Sequence, residues 1–313
     1  MAGKGPNGES GTIEVKGLTK RYRGVVAVDN LSFTVAPRRV TGFLGPNGAG
    51  KTTTLRMLLG LAAPSAGTAT IDGYRYEELA EPLKTVGAML DESGAHKSRT
   101  GRDHLRVQCA AAGLPARRAD EVLDLVGLTS AARRRCGEYS LGMRQRLNLA
   151  QALLGDPAVL VLDEPANGLD PEGIAWMREL LRNFAAEGRT VLVSSHLISE
   201  VEQTADDLVI INRGRLVAQG ATREVVSGLS RARRVRVRVS RTVDLEAALT
   251  SAGATVTAGV PGGEEVLLVS GLETAAVSSL AAAHGGELYE LAEEKRDLEH
   301  AFLHLTGGEA TIR

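Results

Sequence analysis

Residues 45–53 read GPNGAGKTT and fill the pattern G-x-x-x-x-G-K-[ST] with Gly45, Pro46, Asn47, Gly48, Ala49, Gly50, Lys51 and Thr52, with Thr53 directly after. Glycines at 45, 48 and 50 let the backbone turn its N–H groups inward around phosphate oxygens, and a helix N-terminus behind them adds positive potential. In such a cradle Lys51 reaches the β and γ phosphates of a nucleotide, and the Thr52 hydroxyl reaches Mg²⁺. Further along, the apolar run Val159-Leu-Val-Leu ends in two carboxylates, Asp163 and Glu164. Alone, the pair could cap the helix expected from Pro171. Downstream of a phosphate cradle, Asp163 fits the Mg²⁺ shell, and Glu164 fits the group that orients or deprotonates an attacking water. His196, in VLVSSHL, lies at the end of the next apolar run, where a parallel sheet binds its ligands, so its imidazole can report on a γ-phosphate. Tyr22 is one of 5 tyrosines. Its ring can stack on adenine or simply pack.

These groups need a scaffold. Short strand-like runs at Thr12 to Val15, Leu31 to Val35 and Thr68 to Ile71 predict an antiparallel lobe, and Val40 to Leu44 predicts a buried strand feeding the glycine loop. Between Arg102 and Leu154 the apolar spacing turns helical, in HLRVQCAAAG, ADEVLDLVGL and LGMRQRLNLAQALLG, so a helical insert is expected over about 95–155. Then come the strand AVLVLD, a helix from Pro171 to Ala186, the strand TVLVSS, a helix from Leu197, and a strand pair turning at Arg213-Gly214. Strands alternating with helices predict a parallel α/β sheet. Composition shifts after about Leu229, and residues 231–313 read as a small βαββαβ-like unit ending in the helix KRDLEHAFLHLT.

Composition bounds the rest. The chain has 313 residues, 43% hydrophobic and 24% charged, with a formal net charge of -1, which gives no general attraction to nucleic acid or membrane surface. No apolar run approaches the roughly 18 to 20 residues of a spanning helix, and MAGKGPNGESG lacks the apolar core of a signal peptide, so a cytoplasmic protein with a mobile tail over 1–11 is expected. Cys109 and Cys136 match no metal or redox spacing and read as reduced thiols. RARRVRVRVSR at 231–241 carries six arginines and no acid, against three basic and twelve acidic residues in 242–313. A basic ribbon of this kind can bind RNA or lipid headgroups, but without interleaved aromatics the pattern favours internal charge pairing.

Taken together and in order, GPNGAGKTT, YSLGMRQR, VLVLDEP, Asn167-Gly-Leu-Asp170 and His196 resemble the motif set of the ATPase subunits of ABC transporters, over roughly residues 12–228. The resemblance implies an α/β P-loop NTPase with an antiparallel lobe and a helical insert, followed by a small α+β domain. It implies that ATP and Mg²⁺ are bound, that Tyr22 stacks on adenine, that Asp170 lies in a dimer-contact loop, and that two subunits sandwich two ATP molecules head to tail. Ser140, a natural helix cap, and Gly142, which permits close approach, then form an anion site for the γ-phosphate held by the other subunit.

Two motifs depart from the family pattern. Leu141 and Met143 stand where the signature usually has Gly and Gln, while the backbone donor at Gly142 survives. In VGAMLDESG, Asp91 falls where the family carries Gln; this shorter, charged side chain is expected to meet Mg²⁺ directly or through water, with Glu92 as its substitute. ELYELAEEKRDLEHAFLHLTGG resembles the C-terminal extension of type-two exporter ATPases. That implies separate membrane permease subunits, a place on the cytoplasmic face of the membrane, a homodimer or a dimer with a related subunit, and a drug, antibiotic or lipid-like cargo. The competing expectation is an ABC-type ATPase acting on nucleic acid or ribosomes, which usually carries two cassettes or a long coiled-coil insert.

Overall fold

The computed structural model describes residues 11–90, 94–230, 234–239, 242–259, 266–284 and 287–294. The chain divides into two compact units, Met1–Thr222 and Arg223–Arg313. In the first, β1 (Ile13–Tyr22) and β2 (Val25–Val35) form a hairpin, β3 (Val40–Leu44) leads through the glycine loop into α1 (Lys51–Leu58), and β4 (Ala66–Ile71) follows. A short α2 (Pro82–Thr85) and β5 (Val86–Met89) precede the insert, whose helices are α3 (Gly101–Ala111), α4 (Arg117–Leu125) and α5 (Leu141–Ala152). The core then resumes with β6 (Val159–Leu162), α6 (Pro171–Ala186), β7 (Thr190–Ser195), α7 (Ile198–Glu202), β8 (Asp207–Asn212) and β9 (Arg215–Ala221), and α8 (Thr222–Ser230) starts at the last residue of this unit and belongs otherwise to the second.

Two sheets organise this unit, an antiparallel one ordered β2-β1-β4 and a six-stranded one ordered β5-β6-β7-β3-β8-β9. In the larger sheet β5, β6, β7, β3 and β8 run parallel, and only β9 is antiparallel. Every residue of β3, β6 and β7 is buried, as expected of parallel strands covered on both faces. Phe33, Phe43, Leu55, Val161, Leu192 and Val209 belong to one apolar cluster that welds the antiparallel lobe to the parallel sheet. The lobe strands run longer than the sequence reading: β1 continues to Tyr22 and β2 begins at Val25. Gly17, at φ +56°, breaks the alternation on which that reading depends, and the β1–β2 register shifts between Val15 and Leu18. The β8–β9 hairpin turns through Arg213 and Gly214, both at positive φ, as a tight two-residue turn requires.

In the insert, both thiols are buried and burial pushes their pKa up, so Cys109 and Cys136 remain protonated. Tyr139 is anchored by donating to the Ala131 carbonyl (2.8 Å), and it leaves no room for a side chain at Gly101, where a Cβ would stand 2.1 Å from its hydroxyl.

The second unit contains β10 (Arg234–Val239), α9 (Thr242–Ser251), β11 (Thr255–Gly259), β12 (Val266–Ser270), α10 (Thr274–Ala283) and β13 (Leu288–Glu294), with an antiparallel sheet ordered β11-β12-β10-β13. Val235, Val237 and Val239 enter its core with Leu245, Leu249 and Val277. On the opposite face of β10, Arg236 pairs with Glu290 of β13 at 3.5 Å, so the ribbon is engaged inside the sheet at that point. The tail before Gly11 and the expected helix KRDLEHAFLHLT lie outside the described residues.

Candidate nucleotide site

Strand order brings the chemical groups together. β3, β7 and β6 are neighbours running in one direction, so the glycine loop after β3, His196 after β7 and Asp163-Glu164 after β6 emerge side by side at one sheet edge. The loop is clamped from behind. A Cβ on Gly45 would lie 2.6 Å from the Ile211 carbonyl oxygen, and one on Gly50 (φ +102°) would lie 2.5 Å from that of Ala27. Ala49 donates to Pro46 (3.0 Å) and accepts from Gly214 (2.9 Å), which pins the loop to the β8–β9 turn. Asn47 and Gly48 are exposed, Pro46 and Thr53 half-buried, and α1 opens directly at Lys51. This leaves an exposed crest of backbone over a helix N-terminus, the arrangement that receives phosphate oxygens.

Lys51 is buried, and its Nζ donates to the Gly45 carbonyl (2.6 Å) and lies 3.2 Å from Glu164 Oε1. The other Glu164 oxygen, Oε2, is 2.9 Å from His196 Nδ1; an ionised carboxylate only accepts, so this nitrogen carries the proton. Glu164 itself sits at φ +49°, a left-handed conformation that costs a non-glycine residue about 1–3 kcal/mol. It is held there by its own N–H, which donates to Ser194 Oγ (3.0 Å). Ser194 Oγ in turn donates to Asp163 Oδ1, and Thr52 Oγ1 donates to Asp163 Oδ2 (2.6 Å). Six side chains from three chain segments, 51–52, 163–164 and 194–196, thus form one connected network.

The donor set fits Mg²⁺. The Thr52 hydroxyl and an Asp163 oxygen are hard ligands within 2.6 Å of one another. Among the described residues no three acidic, His or Cys side chains gather into a cage. An ion here would draw its remaining ligands from phosphate and water, the usual mode for Mg²⁺.

The other sequence-flagged residues have local settings of their own. Tyr22 ends β1, 47% exposed, with Lys20 Nζ 4.9 Å from its ring centroid. Ser140 caps α5, its Oγ accepting from the Met143 N–H (3.2 Å), and Asp170 caps α6 by accepting from Gly173 (2.8 Å). Within this chain a Cβ on Gly142 would meet nothing nearer than Leu169 Cδ2 at 3.5 Å, so local packing does not demand glycine there. Asp91 and Glu92 lie outside the described residues; the preceding strand approaches the centre, with the Met89 carbonyl accepting the Asp163 N–H at 2.8 Å.

The sequence reading missed Ser194. A serine inside TVLVSS looks like any half of a strand alternation, and its role appears only from register: Leu162 pairs with Val193, which puts the next residues, Asp163 and Ser194, beside each other.

Comparison with known proteins agrees with this geometry. Residues 28–167 match the ABC transporter family, and residues 233–299 match a domain of unknown function, DUF8746. The chain is 43% identical over 210 residues to the bacitracin transport ATP-binding protein BcrA of Bacillus licheniformis, covering 66% of this chain and 69% of that protein. It is 41% identical over 219 residues to the Nod factor export ATP-binding protein I of Burkholderia orbicola, covering 68% and 72%. A solved ATP-binding subunit of an ABC transporter superposes with a TM-score of 0.62 at 29% identity, over 69% of this chain and 92% of that one. The chain belongs to the ATP-binding subunits of ABC transporters, ATPases that dimerise and work with membrane permeases.

Proposed function

We propose that this chain powers export of a drug, antibiotic or lipid-like substrate through separate permease subunits, closing with a second ATP-binding subunit, its own copy or a relative, on two MgATP molecules. The mechanistic part of this reading rests on one observation: Glu164 is suspended between Lys51 and His196 while its backbone is tied through Ser194 to Asp163. Backbone N–H groups of 45–53 receive the phosphates, and Lys51 exchanges the Gly45 carbonyl and Glu164 for the β and γ phosphate oxygens. Thr52 and Asp163 hold Mg²⁺, which when bound neutralises phosphate charge. Glu164, released from Lys51, accepts the proton of the attacking water, and His196 orients it. Tyr22 stacks on adenine, Ser140 and Gly142 face the γ-phosphate carried by the partner subunit, and the Asp170 loop lines the contact.

Closure follows from differential affinity: ATP prefers the closed dimer, and hydrolysis removes that preference. Residues 12–228 carry this work and 231–313 form an accessory domain. No helix among the described residues is long and apolar enough to cross a membrane, which accords with a peripheral place at the cytoplasmic face, held by the permease. Export is supported by the relatives named for bacitracin transport and Nod factor export. The test is Glu164→Gln, which keeps the shape and removes the base. Turnover should fall by about 10² to 10⁴ and an ATP-bound dimer should accumulate on size exclusion; parental turnover would remove Glu164 from the role.

A further inference from the structure

The helix start at Ser140 is fastened to the loop 167–170 of the same chain. A Cβ on Gly168 (φ +77°) would stand 2.1 Å from Leu141 Cδ2 and 2.5 Å from its Cγ, so the leucine occupies a notch that only glycine leaves open. One turn along the same face, Gln145 Nε2 donates to the Asn167 carbonyl (2.9 Å). Beside it the Arg146 guanidinium lies 3.9 Å from the centre of the Trp176 ring on α6, while its Nη1 donates to the Val126 carbonyl (3.0 Å). The first turns of α5, the loop and the following helix are therefore joined at three successive points. Leu141 is nonetheless 42% exposed, so burial alone does not account for a leucine at this place.

We propose that Leu141 is a positioning residue: seated in the Gly168 notch, it makes the Ser140–Gly142 helix start and the Asn167–Asp170 loop one rigid piece, so that both reach the partner's nucleotide together. This rests on the shared-site reading above. Without the leucine side chain the two segments keep the Gln145 bond at the surface, and dimer closure has to order them separately, at the cost of their conformational freedom.

The experiment is a double-mutant cycle on the full chain, using Leu141→Ala, Gly168→Ala and the pair, with Leu141→Met as the conservative variant. Leu141→Ala should lower kcat about tenfold, within the range of coupled neighbours. Binding of a fluorescent ATP analogue to the monomer and the thermal midpoint should stay near parental, and Leu141→Met should restore turnover. Gly168→Ala should lose more, since its φ of +77° strains any side chain and its Cβ also meets Leu141, and the pair, relieved of the second effect, should be at least as active as Gly168→Ala alone. A pair whose loss equals the product of the singles, a Leu141→Ala chain with parental kcat, or losses that simply follow the thermal midpoint would each overturn the proposal. Ser140→Arg separates the levels: full turnover there sinks the shared site itself, whereas an inactive Ser140→Arg with independent Leu141 and Gly168 effects sinks only the notch.

Discussion

Ser194 carries two bonds at the centre of the site, and its removal has a calculable effect. Ser194→Ala deletes the donor to Asp163 Oδ1 and leaves the part-buried Glu164 N–H without its acceptor, at a serine that is itself fully buried. A hydrogen bond to a charged group contributes about 1.5–3 kcal/mol, and an orphaned buried donor costs a further ~1–3 kcal/mol. The second figure falls on the left-handed Glu164 conformation, which no longer has the contact that offsets its strain. If only the first figure is felt as misplacement of Asp163 and Glu164 in the transition state, kcat falls by roughly 10- to 150-fold, since about 1.36 kcal/mol is one decade. The assay is steady-state phosphate release by the purified chain, with thermal unfolding alongside. Ser195→Ala is the neighbouring control: Ser195 Oγ bonds Leu197 and Glu200 rather than the two carboxylates, so its loss should stay within about threefold, as expected when no bond to the reacting groups is broken. A Ser194→Ala chain that keeps more than half the parental kcat refutes the reasoning, as does one whose midpoint falls while kcat does not.

Two other outcomes are expected. Ser140→Arg places a bulky cation at the exposed start of α5 and should leave ATP binding to the monomer largely intact while abolishing hydrolysis, measured by nucleotide fluorescence and phosphate release. His104, buried in α3, has its pKa pushed below the usual 6.5 by burial, with the Arg99 charge adding to this and the Gln151 side chain opposing it. Its folded-state pKa thus lies under the unfolded value; below 6.5 the unfolded chain takes up the proton first, and stability is withdrawn as pH falls through that window. The acid loss of thermal midpoint between pH 7.5 and 5.5 should be smaller in His104→Leu than in the parent, and equal losses would contradict it.

What could be read from the sequence was whatever is contiguous. GPNGAGKTT carries its whole geometry within one turn, and VLVLDE and TVLVSS announce buried strands by composition alone. What could not be read depends on distance or on interruption. Ser194 acquires meaning only through the pairing of β6 with β7, and Leu141 only through a glycine on a different segment. The extension of β1 to Tyr22 was hidden because a single left-handed glycine reverses which face the following residues occupy. Ser140 and Asp170 illustrate a different limit, since each caps its own helix and a cap looks the same whether or not a partner's phosphate lies beyond it.

The central place of β3 also sets a schedule for biosynthesis. Residues 40–44 pair on one side with Val191–Ser195 and on the other with Asp207–Ile210, and the loop that follows is pinned by Gly214. A ribosome delivers the N-terminal part first, so the glycine loop leaves the tunnel long before either neighbouring strand exists. Until about residue 195 has emerged, the strand that feeds the phosphate cradle has neither of its neighbours in the sheet, and until about residue 214 the loop lacks its pin. The growing chain becomes able to hold nucleotide only when the whole parallel sheet has been made, and the second unit, from Arg223 onward, follows it off the ribosome.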